Sequence, residues 1–266
     1  MDHKPTNLDE YKKWMKNKHG VDFGARERVY YETVAAKLKD AFAKSRFWVQ
    51  LTGSFREFDD EYLLASKGYH LLTFREQVPE LLTKPYDSFV LKTYRKNVVE
   101  NKLWPEEPQR GWLLPSNWYS RINDIVRTLV PVKYLDGVEF LIDRIKTVSA
   151  NNDAKSQDFL EARQEGYYAA HVYVHQSFEI PRPTWDTEHV DVSIEIQITT
   201  QLQEVIRRLL HTYYEDARGK PVGDIKWQWD YRSDEFAANY LGHILHYVEG
   251  MIMEIRDRQI AKERMP

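Results

Sequence analysis

Two carboxylates, a run of cations and a glycine–tyrosine step are the residues of this chain whose types and spacing invite chemistry. In His189–Gln201, HVDVSIEIQITTQ, Val190, Val192, Ile194, Ile196 and Ile198 alternate with Asp191, Ser193, Glu195, Gln197 and Thr199. Glu195 therefore projects from the polar face of a period-two strand. A glutamate centred in a β-branched strand is costly to bury alone, so it meets either a cation or metal ion, or water over an exposed sheet face. Asp136 is the second carboxylate, within Val132–Ile142, which reads as a strand with Gly137 at a bulge or close backbone approach. Upstream, Lys92, Arg95 and Lys96 stand at i, i+3 and i+4 with no acid from Ser88 through Val99, so an anionic ligand or solvent has to relieve their repulsion. Two carboxylates on neighbouring strands suit magnesium-assisted phosphoryl or pyrophosphoryl transfer, in which the metal bridges phosphate oxygens and a nearby base takes a hydroxyl proton. A basic helix would then hold a triphosphate, and Tyr167, following Gly166, would stack on a base.

Composition narrows the classes. The chain has 266 residues, 42% hydrophobic and 30% charged, which suits a folded protein with a sizeable core. A formal net charge of -3 argues against a strongly basic nucleic-acid-binding domain while leaving room for a local basic patch. With no cysteine, disulfides, thiolate zinc sites and a cysteine nucleophile are excluded. No apolar run reaches membrane-spanning length and the first residues lack a signal-peptide core, so the cytoplasm is the expected compartment.

The positioning elements follow from pattern. Helices are expected over 8–18 and 26–44, a short strand over 47–51, and a turn at Gly53. Residues 63–79 look irregular. Ser88 is a candidate cap for a basic helix running toward Lys102. Residues 104–118, with three prolines and three tryptophans, read as an ordered loop. A helix over 119–129 and the strand over 132–142 come next, then a polar helical or loop segment over 151–165. After Gly166 a strand places His171, Tyr173 and His175 on one face and Val172 and Val174 on the other. A helix from Leu202 has Leu202, Val205, Ile206, Leu209, Leu210 and Tyr213 on its apolar side and Glu204, Arg207, Arg208, His211 and Glu215 on the other. The last helix, from Ser233, is expected to bury Phe236, Tyr240, Leu241, Ile244, Leu245, Val248, Ile252 and Ile255. His243 and His246 suit packing better than metal binding, since no supporting acid stands at ligand spacing.

Four blocks in order, KPYDSFVLK at 84–92, YLDG at 134–137, GYYAAH at 166–171 and EIQITT at 195–200, resemble the motifs of the RelA/SpoT-type alarmone synthetase domain family. The resemblance covers roughly residues 80 to 215. It implies an α+β fold with a mixed sheet of about five strands surrounded by helices. The whole chain would be one synthetase domain, with helical parts at 1–80 and 216–266 around a motif-bearing core at 81–215. By the same resemblance Glu195 activates the acceptor hydroxyl or helps hold Mg²⁺. Tyr167 stacks on the acceptor base, and His171 and Gln197 contact the acceptor. Lys84, Ser88 and Lys92, with Arg95 and Lys96, lie at the phosphates of ATP. The implied reaction moves the β,γ-pyrophosphate of ATP to the 3′-hydroxyl of a purine nucleotide, GDP or GTP. Departures are specific: Tyr134 stands where the family has its metal aspartate, so that Asp136 becomes the candidate metal ligand beside Glu195, and Glu139, Thr199 and Ala169 replace two arginines and a serine. Two alternatives stay open. One is toxin-like transfer to the 3′ end of tRNA, with an antitoxin as protein partner. The other is a nucleotide-binding or regulatory domain without catalysis. A homo-oligomer is compatible with each.

Overall fold

The computed structural model describes residues 3–73, 78–182, 186–217 and 227–262, the side chains of 210–217 excepted. Leu210, His211, Tyr213 and Glu215 of the sequence reading thus lie outside the described side chains. The fold is α+β, with a five-stranded mixed sheet in the order β1-β2-β5-β4-β3. The strands are β1 (Leu82–Thr83), β2 (Val126–Val132), β3 (Lys155–Ala162), β4 (Tyr168–Pro181) and β5 (Thr187–Thr200). Helices α1 (Leu8–His19), α2 (Ala25–Ala43), α3 (Arg46–Gly53) and α4 (Phe55–Ala65) precede the sheet. Helices α5 (Tyr86–Tyr94), α6 (Trp118–Arg121) and α7 (Asp136–Asn151) interleave with its first strands, and α8 (Gln201–Ala217) and α9 (Asp234–Lys262) follow it. No described helix is long and apolar enough to cross a membrane.

The chain divides into two compact units, and the divisions fall inside α3, β2, β4 and β5 and just before β1. The first unit comprises Met1–Trp48, Leu81–Thr128 and Tyr173–Glu195. Its core is aromatic: Tyr31 stacks on Phe89 with ring centroids 4.2 Å apart, and Trp118, Phe42 and Tyr11 are buried. The Trp- and Pro-rich loop is ordered as its composition predicts, with Trp104 and Trp112 both about 5 Å from Trp14. The second unit comprises Val49–Glu80, Leu129–Val172 and Ile196–Pro266.

Four expected elements are different. Residues 47–51 are helix, not strand, because Phe47, Trp48, Leu51, Phe55, Phe58 and Tyr62 are buried at three- and four-residue spacing across α3 and α4. The helix expected over 119–129 ends at Arg121, and Val126–Val132 is a strand whose residues alternate buried and half-buried. The strand expected over 132–142 is instead the start of α7, where Leu141, Ile142, Ile145 and Val148 share the inner face. Part of the polar segment 151–165 is β3. The basic helix begins at Tyr86 after Pro85, so Ser88 lies within it rather than capping it.

Helix α9 departs most from its pattern. Its buried residues are Ala238, Asn239, Gly242, Glu249 and Arg256, whereas Leu241, Ile244, Val248, Ile252 and Ile255, expected inside, are 36–55% exposed. The reason is backbone proximity. Gly166, at φ 75, closes the turn between β3 and β4, and a Cβ there would lie 2.3 Å from the carbonyl oxygen of Asn239. A Cβ on Gly242 would meet the carbonyl oxygen of Gly166 at the same distance. Only two glycines allow this approach, and that fixes which face of α9 turns inward. Replacing Gly242 with Ala is expected to destabilise the fold by about 2–3 kcal/mol through overpacking against backbone. Gly250→Ala has open space around its Cβ, so it should be neutral or stabilising by up to ~1 kcal/mol. Urea unfolding of the two variants checks the contrast.

Candidate functional site

In the first unit, β1 pairs antiparallel with β2, Leu82 against Arg127 and Thr83 against Val126, and the Lys84 amide donates to the Ile125 carbonyl. This register carries Lys84, just past β1, to Asp124, just before β2. The Lys84 ammonium donates to Asp124 Oδ2 at 2.8 Å. In the last turn of α5, Lys92 donates to Asp124 Oδ1, also at 2.8 Å. Burial alone would raise the Asp124 carboxyl, but the charges of Lys92 and Lys84 pull it down to about 2. Burial lowers the Lys84 ammonium, with Asp124 opposing and Lys92 and Arg127 adding to the shift. Two cations share one buried anion, leaving a positive charge in a place where a phosphate would be favoured. Ser88 shares the Lys92 side of α5 at i, i+4 spacing. Arg95 and Lys96 lie in a π-helical turn, Arg95–Val99, and both pair with Glu100, at 3.0 and 2.6 Å. The expected run of unpartnered cations is therefore absent, since the sequence window ended one residue before the acid that serves two of them.

Glu195 is 8% exposed on the polar face of β5, and Ser193 and Thr199 on that face are buried too. The face is covered rather than open to water. The Tyr173 hydroxyl of β4 approaches Glu195 Oε1 at 3.5 Å, at the outer limit of a hydrogen bond.

In the second unit, Gln197 donates to the Tyr167 hydroxyl, and the Arg163 guanidinium lies 5.4 Å over the Tyr167 ring. His171, buried, pairs through Nε2 with Glu161 at 3.0 Å, and Glu161 also holds Arg163. Tyr167, His171 and Gln197 thus lie in one connected set, as the sequence grouped them. Helix α9 fixes the turn that bears Tyr167. His243 Nε2 donates to the Gln164 carbonyl, leaving Nδ1 to accept from Tyr168, and His246 stacks on the Tyr168 ring 3.7 Å away. Both histidines act in packing and orientation.

Asp136 is not on a strand face. It begins α7, where its carboxylate accepts from the Tyr62 hydroxyl at 2.6 Å and pairs with Arg256 at 2.7 Å. The Arg256 guanidinium is also bracketed by the Tyr69 and Tyr134 rings. Both Asp136 oxygens are thereby engaged in anchoring α9. Asp124 is the acid that sequence reasoning missed, and its signal was an Asp directly before the alternating VRTLVPV strand.

Asp124 has a depressed carboxyl, so its ion pairs stabilise the fold above the ordinary value near 3.8 and are lost as pH falls toward about 2. Asp124→Asn leaves two cations facing a neutral amide and is expected to cost about 3 kcal/mol at pH 7. Its deficit relative to the parent should shrink as pH drops through that window, as read by unfolding at each pH.

No family model matches the sequence, and no curated protein matches it. In structure the chain is similar to small alarmone synthetase 1 from Bacillus subtilis, at 15% identity over 89% of this chain and 97% of that one, with a TM-score of 0.52. Small alarmone synthetase 2 from Bacillus subtilis aligns at 16% identity over 87% and 98%, with a TM-score of 0.48. A GTP pyrophosphokinase family protein from Streptococcus pneumoniae aligns at 16% over 82% and 93%, at 0.49. What the first alignment establishes is the architecture: the chain carries the synthetase fold of the RelA/SpoT-type small alarmone synthetases.

Proposed function

We propose that the chain is a nucleotide pyrophosphokinase that transfers the β,γ-pyrophosphate of ATP to the 3′-hydroxyl of a purine nucleotide, GDP or GTP. The observation that supports it most is the pair Lys84 and Lys92 closing on one buried carboxylate, Asp124. An incoming triphosphate competes for the two ammonium groups and draws them from Asp124, which exposes the carboxylate oxygens to a cation. Asp124 and Glu195, both buried in the same unit, suit Mg²⁺ as protein ligands. Among the described residues no three acids or histidines cluster, which suits an ion that takes one or two carboxylates and completes its shell with phosphate and water. Bound magnesium would offset charge on the donor phosphates. Asp124 takes the metal-holding role that the sequence gave to Asp136, whose oxygens Arg256 and Tyr62 occupy.

The chain's own residues then have distinct tasks. Glu195 accepts the proton of the acceptor 3′-hydroxyl as its oxygen forms a bond to the β-phosphorus, and the bond from that phosphorus to the α-phosphate oxygen breaks to release AMP. Lys84 and Lys92 hold the transferring group. On the resemblance, Tyr167, which Gln197 and Arg163 orient within the second unit, would stack on the acceptor base, and His171, paired with Glu161, would contact the acceptor.

Incubation with Mg²⁺ and ATP labelled in the γ-phosphate, against a panel of purine nucleotides and tRNA, tests the proposal. Label should appear in a nucleotide carrying a 3′-pyrophosphate. Label confined to tRNA would move the acceptor, and nucleotide binding without turnover would replace catalysis with a binding role. Glu195→Gln should lower kcat at least ~100-fold with folding intact. Tyr167→Ala should raise the acceptor KM about tenfold or more, from the loss of base stacking, and leave the KM for ATP unchanged.

A further inference from the structure

On α9 the usual arrangement is inverted, since polar Asn239, Glu249 and Arg256 face inward while an apolar row faces out. The row is Leu241, Ile244, Val248, Met251 and Ile255, each 36–55% exposed. Steps of three, four, three and four residues make this the a/d seam of a heptad coiled coil. It spans about 21 Å at the helical rise. The same row continues to Asp234, one heptad before Leu241, and to Arg258, three residues after Ile255, both exposed, Arg258 in a screened intrahelical pair with Glu254. An apolar seam closed by an acid at one end and a base at the other is complementary to itself when reversed.

We propose that α9 pairs antiparallel with α9 of a second copy of this chain, the two-fold axis passing between Ile244 and Val248. In an antiparallel coil each a position faces a d position. This register sets Ile244 against Val248, Leu241 against Met251, the small Ala237 against Ile255, and Asp234 against Arg258. The neighbouring register would press Leu241 onto Arg258. A parallel pair would set Asp234 on Asp234 and Arg258 on Arg258, with like charges opposed at both ends. The helix needs no partner to form, because the Gly166–Gly242 approach and the Arg256–Asp136 pair already hold it within one copy. Association therefore loses little conformational entropy.

Analytical ultracentrifugation across the micromolar range should show a reversible dimer. Ile244→Glu and Val248→Glu, at exposed positions, should give monomers with unchanged circular dichroism. Asp234→Arg and Arg258→Asp should each weaken the dimer about tenfold, and the double exchange should restore it. The chain lacks cysteine, so introduced thiols report the register alone. A mixture of Leu241→Cys and Met251→Cys proteins should cross-link on mild oxidation, while neither protein alone should, since like positions lie about 15 Å apart along the axis. A monomeric parent protein, a dimer indifferent to Val248→Glu, or cross-linking of Leu241→Cys by itself would each overturn the proposal.

Discussion

Val192, Ile194, Ile196 and Ile198 exclude water from one face of β5, and Ser193, Glu195 and Thr199 lie under cover on the other. A strand buried on both faces cannot leave its polar side chains to solvent, so each must find a protein partner or remain costly. The partners come from β4, its sheet neighbour, and from α9. Thr199 donates to the Tyr168 carbonyl, Gln197 to the Tyr167 hydroxyl, and Thr200 to Glu249 of α9. Burial raises the Glu249 carboxyl, which the hydrogen bonds from Thr200 and Gln203 oppose. On the Glu195 side the Tyr173 hydroxyl approaches at 3.5 Å, and the buried Ser193 hydroxyl has no hydrogen-bond partner. A carboxylate held under cover on the sheet is where the packing of β5 meets the proposed chemistry.

Helix α9 solves a related problem by different means. Its inward face is polar because it supplies hydrogen-bonding groups to buried partners: Arg256 to Asp136 and Tyr62, Glu249 to Thr200, His243 to Tyr168 and Gln164. These contacts are directional, and together with the glycine pair they fix the rotation of the helix about its axis more tightly than apolar burial does. The apolar stripe is displaced outward as a result. A helix whose stripe and whose anchoring groups lie on opposite sides has two faces engaged once its outer seam is covered.

The parts of this fold legible in sequence were those with long regular patterns. β4 and β5 each alternate over about a dozen residues, and α1, α2 and α8 carry apolar stripes over several turns, so α1 and α2 were placed nearly to their observed ends and the others nearly to their observed starts. Short windows failed. Five residues at 47–51 look equally like strand or helix until Phe55, Phe58 and Tyr62 extend the spacing. Gly137 suggested a strand bulge, whereas it sits in the first turn of α7, its Cα facing Leu71 and Val132. Misplacing that boundary put Asp136 on a strand face, whereas it begins α7, and left Asp124, just before β2, without notice. The stripe of α9 was seen correctly but assigned to the interior, because hydropathy reports which residues avoid water and does not report which face a glycine-to-glycine contact will select.

Stoichiometry alone would not have distinguished the two basic clusters in the first unit, and burial does. Arg95 and Lys96 share Glu100 just as Lys84 and Lys92 share Asp124. In the first cluster all three side chains are at least 36% exposed, so water and salt screen the surplus cation and little energy depends on its fate. In the second, Lys84 and Asp124 are 10% and 13% exposed. There one lysine suffices to neutralise the carboxylate, while Lys84 is held at a cost in desolvation and in repulsion from Lys92. A second anion would offset both costs at once. The excess charge that makes this cluster a poor device for stability makes it a good one for receiving phosphate.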